Sequence, residues 1–79
     1  MNTLGKHTAL TLEKIAAMQS GTEAGLTTIF GSDWDLIGSS GDKKSFGRKF
    51  KAAVQNREIA NIEWVRIENS GRYDVYRKI

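Results

Sequence analysis

Three observations on this 79-residue chain predict an α+β domain of winged helix-turn-helix order. Residues 43 to 56, KKSFGRKFKAAVQN, have the period of an amphipathic helix. The segments before it carry only short helical patterns, and after Asn56 the period changes from 3.6 to 2. Short helices, a longer basic helix and a closing β-hairpin is the order in which a third helix reads nucleic acid and the hairpin forms the wing.

The element order begins with residues 1–10, which have no period and contain Gly5, and read as a flexible tail. Residues 11–79 read as a single domain. Within it, Thr11 is placed to cap a first helix over residues 11–20, with Leu12, Ile15, Ala16 and Met18 as its apolar stripe and Gly21 as its stop. A second helical stretch follows Thr22 and carries Leu26, Ile29 and Phe30 up to Gly31. Ser32 or Asp33 then caps one or two turns, DWDLIG, in which Trp34 and Ile37 share a face. Helices this short are marginal alone, so they must pack on each other and on the basic helix, and Trp34 is expected in the core.

The basic helix is expected to begin at Asp42 as N-cap, after the turn Gly38-Ser39-Ser40-Gly41. Phe46, Phe50, Ala53 and Val54 fall on one face, the i, i+4, i+7, i+8 pattern of a buried stripe. Lys44, Arg48, Lys51 and Gln55 fall on the other, with Lys43 and Lys49 beside them. Gly47, mid-helix, implies close approach of a neighbouring helix or of a ligand backbone.

Ile62 to Glu68 and Tyr73 to Ile79 read as two strands joined by Asn69-Ser70-Gly71, with Gly71 in the left-handed position of a bulged turn. Pairing in which residue numbers sum to 140 sets Glu68 against Arg72, Ile67 against Tyr73, Arg66 against Asp74, Val65 against Val75, Trp64 against Tyr76 and Glu63 against Arg77. Each pair is oppositely charged or apolar, the complementarity that sets register. In this register Val65, Ile67, Tyr73 and Val75 form the core face. Ile62, Trp64, Arg66, Tyr76 and Lys78 form the other face, of aromatic and basic side chains, on which Trp64 and Tyr76 either stack bases of a single strand or, in the case of Trp64, pack in the core under the N-terminal helix.

Charge points the same way. Residues 1–42 carry Lys6 and Lys14 against Glu13, Glu23, Asp33, Asp35 and Asp42, whereas residues 43–56 carry five bases and no acid. Such a local positive field is the footprint of a polyanion site, or simply a solvated helix face. Candidate nucleic-acid contacts are therefore Lys43, Lys44, Arg48, Lys49, Lys51 and Gln55 on the helix and Trp64, Arg66, Tyr76 and Lys78 on the wing. DNA is expected in preference to RNA. The alternative is a protein-interaction module, such as a phage-encoded inhibitor or adaptor of a host protein, docking through the Trp64/Tyr76 face or the acidic N-terminal half, and either a monomer or a homodimer is consistent with the chain.

Other classes find no footing. The chain has no cysteine, so a disulfide framework and thiolate metal sites are excluded, and no apolar run approaches the ~20 residues of a membrane span, which favours a cytoplasmic protein. No cofactor is implied. The single histidine, His7, lies in the expected tail with no identifiable partner, and Ser39 and Ser40 have no base to activate them, so an enzyme is not expected. Asp33, Asp35 and Asp42 outline no calcium loop, because the position that would need a bidentate Glu holds Lys44. GSSGDKKS lacks the spacing of a phosphate loop.

The runs LTTIFGSDWDLI, KKSFGRKFKAAV, IANIEWV and YDVYRKI resemble a family of very small proteins from bacteria, phages and mobile elements, filed as a domain of unknown function. The positions that carry the resemblance are Ile29, Phe30, Gly31, Asp33, Trp34, Lys44, Phe46, Gly47, Arg48, Phe50, Ile59, Asn61, Ile62, Tyr76 and Lys78. It covers Leu26 to Ile79, with the first helix as an extra element and Ile29 where the family has Leu. The resemblance implies a winged helix, and through one member a single-stranded-DNA-binding role in replication of a mobile element.

Overall fold

The computed structural model describes residues 4–79, so the first three residues of the expected tail lie outside the described residues. The described residues form three α-helices, α1 (Thr8–Ala16), α2 (Leu26–Phe30) and α3 (Ser40–Gln55), and three strands, β1 (Glu23–Ala24), β2 (Ile62–Glu68) and β3 (Tyr73–Lys78). The antiparallel sheet has the order β1-β3-β2. Short 3₁₀ turns, Gly5–His7 and Gly31–Ile37, precede α1 and α3.

α3 is the longest element, and its buried residues are Phe46, Phe50, Ala53 and Val54, the stripe that the spacing predicts. Its start differs. The N-cap is Ser39, whose hydroxyl accepts from the Asp42 backbone N–H while the Asp42 carboxylate accepts from the Ser39 N–H, a reciprocal capping box. Asp42 is thus the third helical residue. The Ser39 N–H and hydroxyl hold its carboxyl below the usual carboxylate range.

The core is aromatic. Phe50 is fully buried between Phe46, at 6.0 Å in stacked geometry, and Tyr76, whose ring meets it edge-on at 4.7 Å. Phe30 meets Phe46 edge-on at 5.5 Å, and half-buried Trp34 packs on both. Residues 4–10 are not a loose tail in their described part. Leu4 is buried in the same cluster, Leu10 packs against it and His7 meets Phe46 edge-on at 5.7 Å. α1 accordingly starts at Thr8, three residues earlier than expected. Thr11 lies inside it, fully buried, its hydroxyl donating to the His7 carbonyl at 2.7 Å, while Leu12 is half exposed and Ala16 exposed.

The hairpin keeps the expected register for Glu63 with Arg77 and Trp64 with Tyr76, then loses it. A bulge at Val65 sets Arg66 against Val75, Ile67 against Asp74 and Glu68 against Tyr73. Arg72, not Gly71, has the positive φ, 50°. The faces are also reversed. Ile62, Trp64 and Tyr76 join the core, whereas Ile67 and Tyr73 are about half exposed. Val75 is buried outside the main core, on the sheet face where Arg66 and Arg77 pair with Glu23 and Glu63.

The Tyr76 hydroxyl is buried with no hydrogen-bond partner among the described residues, and burial pushes its pKa up. Tyr76→Phe removes that orphaned group and keeps the ring. The domain is expected to gain about 1 kcal/mol or more in urea unfolding, since an unsatisfied buried hydroxyl costs roughly 1–3 kcal/mol. A loss of stability would show that the hydroxyl has a partner.

Candidate nucleic-acid interface

α3 and the wing enclose a groove of about 750 Å³, closed on the third side by Gly25 to Thr28 at the start of α2. Along its α3 wall stand Lys43, Lys44, Gly47, Arg48 and Lys51, and on the wing side Gly71, Arg72, Tyr73 and Asp74. The helix period brings Lys44, Gly47, Arg48 and Lys51 to one face, and the bulge with the turn after Glu68 brings the wing tip back toward it.

The cations in this groove divide into two sets. Lys43 is committed to Asp35, 2.8 Å away, and leans over the Trp34 ring. That contact holds the Asp35 carboxyl below its usual range. Lys51 is committed to Asp74 at 3.3 Å and lies 5.1 Å from the Trp64 ring centre, and the Trp64 indole N–H donates to the same carboxylate at 2.9 Å. Lys44, Arg48 and Arg72 are exposed or border the groove with no ion-pair or hydrogen-bond partner among the described residues. Lys51, Trp64 and Asp74 therefore brace the wing against α3, and Lys44, Arg48 and Arg72 supply the groove's free charge.

Lys49 and Gln55 are exposed on α3 but lie outside this groove, Lys49 beside Asp42 and His7, Gln55 near Asn61 and Ile79. The expected outer wing face does not exist as a stacking surface. Tyr76 is fully buried against Phe50, and Trp64 is half-buried on the core, because Phe50 meets the sheet on the side the sequence reading assigned to solvent. The Lys78 ammonium donates to the Ile15 and Met18 carbonyls at 2.7 and 3.1 Å and caps the end of α1. Arg66 is exposed on the opposite sheet face, held by Glu23 and Glu68, and the Glu23 carboxylate raises its pKa further. The period of two places Tyr73 on the core face and Arg72 opposite Glu68 at the strand end, so neither stands out in the sequence as a groove residue.

The family model described as domain of unknown function (DUF1413) matches residues 10–78. The chain belongs to that family. The DUF1413 match takes in most of α1, so this helix is part of the family's extent and not an addition to it. Neither the curated proteins nor the solved structures gave a match. Among the described residues, no helix is long and apolar enough to cross a membrane.

Gly47 lies on the groove wall of this DUF1413 chain. A Cβ built there would meet only a Leu26 methyl at 3.9 Å, so no neighbouring helix requires the glycine. Gly47→Ala is expected to stabilise the domain by roughly 0.5–1 kcal/mol, the usual gain inside a helix. If a bound backbone comes close to this point, the same variant binds it more weakly. Thermal unfolding and titration of one sample read the two effects separately, and a less stable variant would contradict the open space.

Proposed function

We propose that this DUF1413 protein is a non-enzymatic nucleic-acid-binding module of winged-helix type, acting in the cytoplasm and holding DNA, single-stranded or bound without sequence preference, in the groove between α3 and the wing. The observation that carries it is the set of uncommitted cations, Lys44 and Arg48 on α3 and Arg72 on the wing, lining one groove while Lys43 and Lys51 are neutralised by acids. Cations without internal partners are those free to replace counterions on phosphate. The order α1-β1-α2-α3-β2-β3, with β3 between β1 and β2, supports the winged-helix reading.

Fluorescence anisotropy with labelled single- and double-stranded oligonucleotides, at ~50 and ~200 mM salt, tests the proposal. Affinity that falls steeply with salt is expected. Absence of salt-dependent binding to both strand forms at micromolar protein would overturn it. The rival reading is a protein-interaction module docked through the wing face or the acidic N-terminal half; the packing of Tyr76 and Trp64 on the core leaves less of the wing face for it and does not touch the N-terminal half.

A further inference from the structure

Among the described residues that line the groove, Asp74 is the only acid, and its carboxylate faces the Lys51 ammonium of α3 at 3.3 Å. A carboxylate there works against an anionic ligand, since each phosphate drawn in by Lys44, Arg48 and Arg72 approaches a like charge. Bracing the wing does not require that charge. The Trp64 indole N–H already donates to the same oxygen, Asp74 Oδ1, at 2.9 Å, and an amide oxygen would accept it as well. Lys51 itself is placed to serve two partners. It follows Arg48 by three positions and Lys44 by seven on the groove face of α3, about 10 Å along the axis from Lys44, so a run of phosphates laid across Lys44 and Arg48 reaches it next. Both members of the Lys51–Asp74 pair are about one-third exposed and their contact is long for an ion pair, so little holds the ammonium back. Lys43 differs, because its acid, Asp35, stands outside the groove lining and approaches to 2.8 Å. When Lys51 leaves, Asp74 is not stranded, since Oδ1 keeps the indole N–H and the carboxylate keeps its access to water.

We infer that Lys51 is a reserve phosphate contact, held by Asp74 in the free protein and transferred to the ligand on binding, with Asp74 as an internal competitor that lowers the affinity of the groove. The inference rests on the nucleic-acid reading given above and adds its regulation, for single strands and duplexes alike. Lysine suits the exchange, because its ammonium is a point charge on a flexible four-carbon stem and can change partners without moving α3. Trp64 holds Asp74 while the ammonium is away, so the wing keeps its place. Binding breaks one internal ion pair and release restores it, which makes the groove let go more readily than its cations alone would.

The test compares wild type, Lys51→Ala, Asp74→Asn and the double variant by anisotropy over a salt series, on a labelled oligothymidylate and on a duplex of equal length. Lys51→Ala is expected to lower the salt slope by about 0.9 on the duplex and about 0.7 on the single strand, the share of one phosphate contact. Asp74→Asn keeps an oxygen for the Trp64 indole and is expected to bind roughly two- to fivefold tighter with its slope unaltered, because an exposed ion pair no longer has to be broken. On the Lys51→Ala background the same substitution should lose most of that gain. Acylation footprinting of the lysines of wild type, read by mass spectrometry, reports the transfer without a substitution: Lys44 and Lys51 should lose reactivity together when the oligonucleotide is added. An unchanged slope in Lys51→Ala, equal or weaker binding by Asp74→Asn, the same gain on both backgrounds, or a Lys51 as reactive in the complex as in the free protein would overturn the inference while leaving the groove as a binding site. Failure of wild type to bind either form would remove the underlying reading.

Discussion

Replacing Lys44 and Arg48 together by alanine is expected to lower affinity for DNA roughly fiftyfold at ~0.1 M salt, with the salt slope reduced by about 1.8 on duplex and about 1.4 on single strands. The size follows from counterion release, because two lost phosphate contacts remove two condensed ions from the binding equilibrium. Folding should scarcely change, since neither side chain is tied to another group among the described residues and such surface substitutions usually stay within ~0.5 kcal/mol. The control is Lys43→Ala. Its ammonium is occupied by Asp35, so its loss should alter the slope far less. Titrations at four salt concentrations and one thermal scan settle the comparison. An unchanged slope in the double variant would place the DNA elsewhere on the molecule.

Phe50→Ala should produce the largest loss of stability. Its side chain is fully buried, stacks on Phe46 and receives the edge of the Tyr76 ring. Truncating such a phenylalanine costs about 3–5 kcal/mol through lost transfer energy and the cavity left behind. A domain of 79 residues has only about 4–12 kcal/mol in total. The variant is therefore expected to be partly or wholly unfolded at 25 °C, with a collapsed urea midpoint and loss of near-ultraviolet circular dichroism. A cost under ~1.5 kcal/mol would mean that α3 does not organise the core.

The α3 stripe was legible because four apolar residues over nine positions admit one helical face and a buried partner. Hairpin existence was legible for the same kind of reason, a period of two around a turn. Its facing was not, because both sides of the hairpin carry apolar residues and only the position of Phe50 decides between them. The bulge at Val65 left no mark either, since Glu63 with Arg77 and Trp64 with Tyr76 are compatible with it. β1 has two residues and therefore no period to detect. At the site, the period of α3 brings Lys44, Arg48 and Lys51 to the groove, whereas Gln55, read on the same face, lies beyond it. Which of the α3 cations is free depends on Asp35, which takes Lys43, and on Asp74 of the wing, which takes Lys51 from 23 positions away, and periodicity reports neither pairing.

The central position of β3 has a consequence for how the protein is made. Glu23 and Ala24 pair with Arg77 and Tyr76, and Lys78 caps α1, so the first half of the domain is finished by residues more than fifty positions later. While the chain grows on the ribosome, α1, α2, α3 and β2 emerge before the strand that closes them. Phe50 stays without its Tyr76 neighbour, and the sheet has no middle, until β3 leaves the exit tunnel. Completion of the fold thus waits on the slow closure of long-range contacts, and during translation the nascent chain carries a basic helix whose Phe50 lacks its Tyr76 cover.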